Sequence, residues 1–124
     1  MNSPIQNQLN TVFVPVSDLT QSVKWYCDLL GQSYDHHAIQ EPIYNMAINH
    51  HTGLLLEAGP PGQKQAVEPS KHPLFNFHTH DIREAYSLVQ KRGYAITTDI
   101  QEFADLAFFN IKDPDGNIVM VCNG

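Results

Sequence analysis

Valine recurs at every second position from Val12 to Val16, and Phe75, Phe77 and Thr79 repeat the same spacing later in the chain. Alternation of this kind places every second side chain on one face of a strand. Both runs stop at an aspartate, Asp18 and Asp81, with Gln21 and Glu84 three residues on. That spacing is a capping box, in which the first side chain accepts from the free N–H groups of a helix start. The period then changes from two to about 3.6. Leu19, Val23, Tyr26 and Leu30 form one stripe, which predicts a helix from about Leu19 to Leu30, closed by Gly31. Ile82, Ala85, Tyr86, Leu88 and Val89 predict a second, from about Ile82 to Arg92, closed by Gly93. Lys91 and Arg92 suit the negative end of its dipole.

Three short strand-like runs follow each helix. In the first half they fall near Tyr34–Ile39, Ile43–Asn49 and Leu54–Ala58, with Pro42 in the first turn. In the second half they fall near Ala95–Ile100, Ala107–Lys112 and Ile118–Cys122. Asp113-Pro114-Asp115-Gly116 is a turn, because Pro presets φ and Gly accepts positive φ. The halves align at an offset of 63 positions: Val12 meets Phe75, Asp18 meets Asp81, Gly53 meets Gly116 and Leu55 meets Ile118. An internal repeat of this length is the strongest statement the pattern makes about architecture. Each half therefore reads β-α-β-β-β, one over about 9–58 and the other over about 74–122. The stretch between them, about 59–73, holds Pro60, Pro61, Pro69 and Pro73 and serves as the linker of one domain spanning 1–124.

Composition narrows the function classes. Hydrophobic residues make up 42% and charged residues 16% of the 124, a globular balance. The formal charge of -6 argues against a nucleic-acid backbone or an anionic membrane as partner. No apolar run reaches the roughly 18 residues of a membrane helix, and no signal peptide is visible, so a cytoplasmic protein is expected. Cys27 and Cys122 read as reduced thiols packed as small hydrophobes. There is no nucleophile elbow, phosphate loop, dinucleotide fingerprint or CxxC pair. The stretch from Asp113 to Asn117 begins like a calcium loop but lacks the later glutamate.

The segments Val12–Gly31 (with the aromatic pair Trp25-Tyr26), Phe77–Tyr94 and Asp113–Val121 resemble the vicinal oxygen chelate superfamily, which includes glyoxalase I, extradiol dioxygenases and bleomycin-resistance proteins. The resemblance implies an α+β fold. Tandem βαβββ modules would form a curved, cup-like mixed sheet with the helices outside. It also implies ligand positions for a divalent metal. A histidine is expected seven residues before each capping aspartate, where this chain has Thr11 and Leu74. A carboxylate is expected four residues past each turn glycine, where it has Glu57 and Met120. Three of those four are poor ligands for a hard or borderline cation, and a catalytic metal needs about three protein ligands. The expectation is therefore a protein without the family metal and with no other cofactor.

Within the expected cup, Phe13, Tyr44, Asn76, His78, Phe109 and Met120 are the candidate ligand-lining residues, aromatic and thioether surface with a few polar groups. Glu57 and His78 are the candidate proton-transfer residues. His78 and His80 share a strand face and could join Glu57 in a displaced metal site. His36-His37 and His50-His51 are adjacent pairs, whose side chains diverge, and His72 sits in the linker; these read as solvated histidines. The favoured reading is a homodimeric protein that binds a small organic molecule without metal. The alternatives are a lyase, isomerase or dioxygenase-type enzyme, metal-independent or with a divalent metal at a displaced site, and an assembly subunit whose cup is filled by side chains.

Overall fold

The protein is described by a computed structural model covering residues 2–124. It packs as two compact units that divide between Val67 and Glu68, inside the proline-rich stretch. The architecture is α+β, two helices with two mixed sheets of three and four strands.

The first unit runs β1 (Thr11–Pro15), α1 (Leu19–Leu30), a short 3-10 turn (His36–Ala38), β2 (Ile43–Met46) and β3 (Gly53–Glu57). Its strand order is β1-β3-β2, with β1 parallel and β2 antiparallel to the central β3. The expected strand near Tyr34–Ile39 is absent; the 3-10 turn stands in its place. Asp35 explains the change, since its carboxylate accepts from the His37 N–H at 2.9 Å and so offers the backbone a local partner in place of a strand ladder. This unit is thus β-α-β-β among the described residues.

The second unit runs β4 (Pro73–His78), α2 (Ile82–Arg92), β5 (Ala95–Glu102), β6 (Ala107–Lys112) and β7 (Ile118–Cys122), in the order β4-β7-β6-β5. It realises the full expected module. β4 is parallel to β7, and the other neighbours are antiparallel.

Both helices start and stop where the sequence predicts. Asp18 accepts from the Gln21 N–H at 3.1 Å and Asp81 from the Glu84 N–H at 3.0 Å. Gly31 and Gly93 close the helices at φ of 70° and 74°, the left-handed conformation that a side chain would resist. Each cap bond is solvent-exposed. Asp18→Ala and Asp81→Ala are each expected to cost about 1 kcal/mol, read as a lower urea midpoint at unchanged slope.

Each sheet has a near face under its helix and a far face turned away from it. Val14, Leu54, Leu56 and Met46 are buried on the near face of the first sheet, beneath Val23, Tyr26 and Cys27 of α1. Phe109, Ile111, Val119 and Val121 are buried on the near face of the second, beneath Ile82 and Val89 of α2. These two apolar layers are the cores.

Candidate functional site

Strand register fixes what the far faces carry, because paired residues point the same way. On the first sheet Thr11 pairs with Gly53, Phe13 with Leu55 and Pro15 with Glu57; Asn45 and Ile43 continue the last two rows on β2. Gly53 lets the Asn45 side chain lie across it. A Cβ at that position would stand 2.7 Å from Asn45 Oδ1. On the second sheet Asn76 pairs with Met120 and His78 with Cys122, while Asn110 and Phe108 continue those rows on β6.

Of the residues singled out from the sequence, Phe13 and Glu57 therefore share the far face of one sheet, and Asn76, His78 and Met120 share the far face of the other. Leu74 stands exposed at the start of β4, beside an irregularity in its pairing with β7. Two expected lining residues lie elsewhere. Phe109 is 0% exposed on the near face, its ring 5.2 Å from that of Tyr86 on α2. Tyr44 pairs with Leu56 and so also faces the helix side. Burial raises its phenol pKa, and the Cys27 thiol on α1 adds to the rise. The Cys27 thiol is itself pushed up, first by burial and then by Asp28. Both residues therefore belong to the layer between sheet and helix.

His80 lies beyond the end of β4, in the bend ahead of the α2 cap. His36 and His37 sit in the 3-10 turn, and His50 and His51 in the connection from β2 to β3. Among the described residues, no three of His, Cys, Asp and Glu are grouped so as to hold a metal ion.

The register also revises which positions of the two units correspond. Phe13 and Asn76 each lie five residues before a capping aspartate, and their partners are Leu55 and Met120. The structural counterpart of Met120 is therefore Leu55, and the counterpart of Glu57 is Cys122. The alignment through Gly53 and Gly116 differs because the two glycines play different parts. Gly53 is the first residue of β3, whereas Gly116 is in the turn before β7 at φ 84°. A family metal would thus meet threonine, leucine and methionine at its expected positions, with Glu57 one strand pleat further along. This donor set does not fit a divalent cation.

Sequence reasoning missed Asn110. Its side chain carries Oδ1, which is buried without a hydrogen-bond partner, on the far face beside Met120. The signal was present: Asn110 and Lys112 alternate with Ala107, Phe109 and Ile111, which marks the polar set as the one turned from the helix.

No described helix is long and apolar enough to cross a membrane. No curated protein matches the chain. Several solved structures share its fold. Oxidase ChaP-H1 is 18% identical at a TM-score of 0.71, over 96% of this chain and 97% of that one. Lactoylglutathione lyase from Agrobacterium tumefaciens is 16% identical at 0.70, over 98% and 96%. An integron cassette protein of V. cholerae is 18% identical at 0.68, over 99% and 98%. At such identities the likeness establishes the fold and nothing finer. The family model matches residues 8–121, nearly the whole chain. With two capped helices crossing two mixed sheets in the order found here, the chain belongs to the Glyoxalase/Bleomycin resistance protein/Dioxygenase superfamily.

Proposed function

We propose that this superfamily member binds a small organic molecule against a sheet face turned away from its helix and does so without the family metal. The observation that carries the reading is the chemistry of those faces. Their paired rows hold aromatic, aliphatic, thioether and carboxamide groups, with the Glu57 carboxylate on one sheet and the His78 imidazole on the other, where metal-dependent relatives require a cluster of imidazole and carboxylate ligands. Such a surface suits an uncharged or weakly polar ligand held by packing and a few hydrogen bonds. The resemblance adds a homodimer and the sequence reading a cytoplasmic setting, which sedimentation and fractionation test separately.

A thermal-shift screen decides between binding and metal chemistry. Organic ligands that bind the native fold are expected to stabilise it, by about 2.7 kcal/mol at 100 times the dissociation constant. Zn2+, Mn2+, Fe2+ and Ni2+ are expected to give no saturable stabilisation that depends on Glu57. A stoichiometric metal that survives dialysis and is lost in Glu57→Ala would overturn the reading.

A further inference from the structure

Asn76, Met120 and Asn110 stand side by side in one row of the second sheet's far face, which Thr98 of β5 continues. Asn76 on β4 and Asn110 on β6 both pair with Met120 on the strand between them. Two strand spacings therefore separate the carboxamides, roughly 9–10 Å between Cα atoms, with a thioether midway. No charged side chain lies in the row.

The hydrogen bonding of this row is incomplete. Asn110 Oδ1 is shielded from solvent and accepts from no donor among the described residues. An acceptor buried in that state destabilises a fold unless some group supplies a donor. On the other side, the exposed Asn76 amide donates, among the described residues, to Met120 Sδ alone, at 3.9 Å. A thioether is a weak acceptor, so that N–H is readily redirected to a better one. Between them the Met120 sulfur offers a polarisable surface of the kind that packs well against aromatic rings. The row thus presents an unmet acceptor at one end, a poorly used donor at the other, and a ring-binding surface in the middle.

We propose that Asn76, Met120 and Asn110 form a recognition strip for a neutral aromatic molecule that carries a hydroxyl or N–H donor at one end and a carbonyl acceptor at the other. The ring lies on the Met120 thioether, the Asn110 side chain turns its Oδ1 out to accept from the donor, and the carbonyl takes the Asn76 amide. The inference rests on the small-molecule reading above and deepens it, naming the class of ligand and the residue that selects it. Asn110 is the specificity residue. Met120 supplies contact without polarity.

A matched pair of probes tests this: 4-hydroxyacetophenone, and 4-methoxyacetophenone, which keeps ring and carbonyl but lacks the donor. Binding is followed through the ε-methyl NMR signal of Met120, with buried Met46 as internal control. The hydroxyl probe is expected to bind roughly tenfold more tightly than its ether, the worth of one good hydrogen bond. In Asn110→Leu that preference is expected to vanish while the ligand-free protein melts at a higher temperature, because an orphaned acceptor has been removed. Asn110→Ala repeats the binding test without added bulk. Met120→Leu removes the reporter methyl, so its binding is followed by saturation transfer from the protein to the probe's ring protons, and it is expected to weaken both probes alike. A donor preference that persists in both Asn110 variants overturns the inference, even with the Met120 signal responding. Failure of either probe to move that signal overturns it too. The small-molecule reading is judged independently, by the wider ligand screen.

Discussion

Phe109→Ala is expected to destabilise the protein by about 3–5 kcal/mol, while Phe13→Ala stays within about 0.5 kcal/mol of the parent. Both are phenylalanines in the middle of strands. What separates them is the face. Phe109 is 0% exposed and meets Tyr86 edge-on at 85°, so truncation removes buried apolar area, leaves a cavity and loses an aromatic pair. Phe13 is 68% exposed, and little is buried that truncation could lose. Against a total stability of about 5–15 kcal/mol, the first loss is a large fraction. Urea unfolding followed by circular dichroism reads both. Similar costs for the two variants would mean that near and far faces have been assigned the wrong way round. A ligand-binding role predicts the reverse order for affinity, with Phe13 placed to contact a ligand and Phe109 serving only as core.

The same contrast shows where reading a sequence succeeds and where it stops. Helix limits were legible because their signals are local. Asp18 and Asp81 bond amides three residues away, and Gly31 and Gly93 close their own helices. Strand existence was legible for the same reason wherever alternation was clear, as in β6 and β7. Which face of a strand is covered is a tertiary property. Alternation is symmetric between the two faces, so nothing local to Phe109 or Tyr44 tells that they lie on the side the helices cover. The 3-10 turn at His36–Ala38 was missed because one aspartate side chain outweighed a short, weakly patterned strand. The correspondence between the halves was nearly right, yet the two glycines used to align their last strands differ in role, one making room for Asn45 and the other turning the chain. A shift of two residues was enough to put Glu57 where Leu55 belongs. Asn110 escaped notice because an orphaned acceptor is defined by what surrounds it.

The second large effect is expected at Asp113. Its Oδ1 accepts from the Asp115 N–H at 2.9 Å and the Asn117 N–H at 2.8 Å, and its Oδ2 accepts from Asn117 Nδ2 at 3.2 Å. Asp113 and Asn117 are both buried, so the Asn117 donors have no ready access to water in compensation, while the Asp115 amide is part-buried. Asp113→Ala therefore leaves several donors unmet at once. The expected loss is about 2–4 kcal/mol, against about 1 kcal/mol for the exposed cap aspartates Asp18 and Asp81, which face water. Asp113→Asn keeps one acceptor oxygen but turns an amide toward the Asn117 donors, and should fall between the two. Urea unfolding gives the magnitudes, and hydrogen exchange at Asp115 and Asn117 locates them. A cost near 1 kcal/mol for the alanine variant would show that burial adds nothing here. The consequence reaches the candidate site through β7. The loop ends at Gly116, whose positive φ and closeness to Pro69 (3.1 Å from a Cβ built there) exclude a side chain, and the next amide but one, Ile118 N–H, donates to Ser70 Oγ at 2.8 Å. These contacts set where β7 begins, and therefore which residue stands between Asn76 and Asn110. A slip of one residue would replace the Met120 thioether on the far face with a valine from the core side. Loosening the Asp113 loop is thus expected to weaken aromatic binding together with stability, whereas Asn110→Leu moves the two in opposite directions.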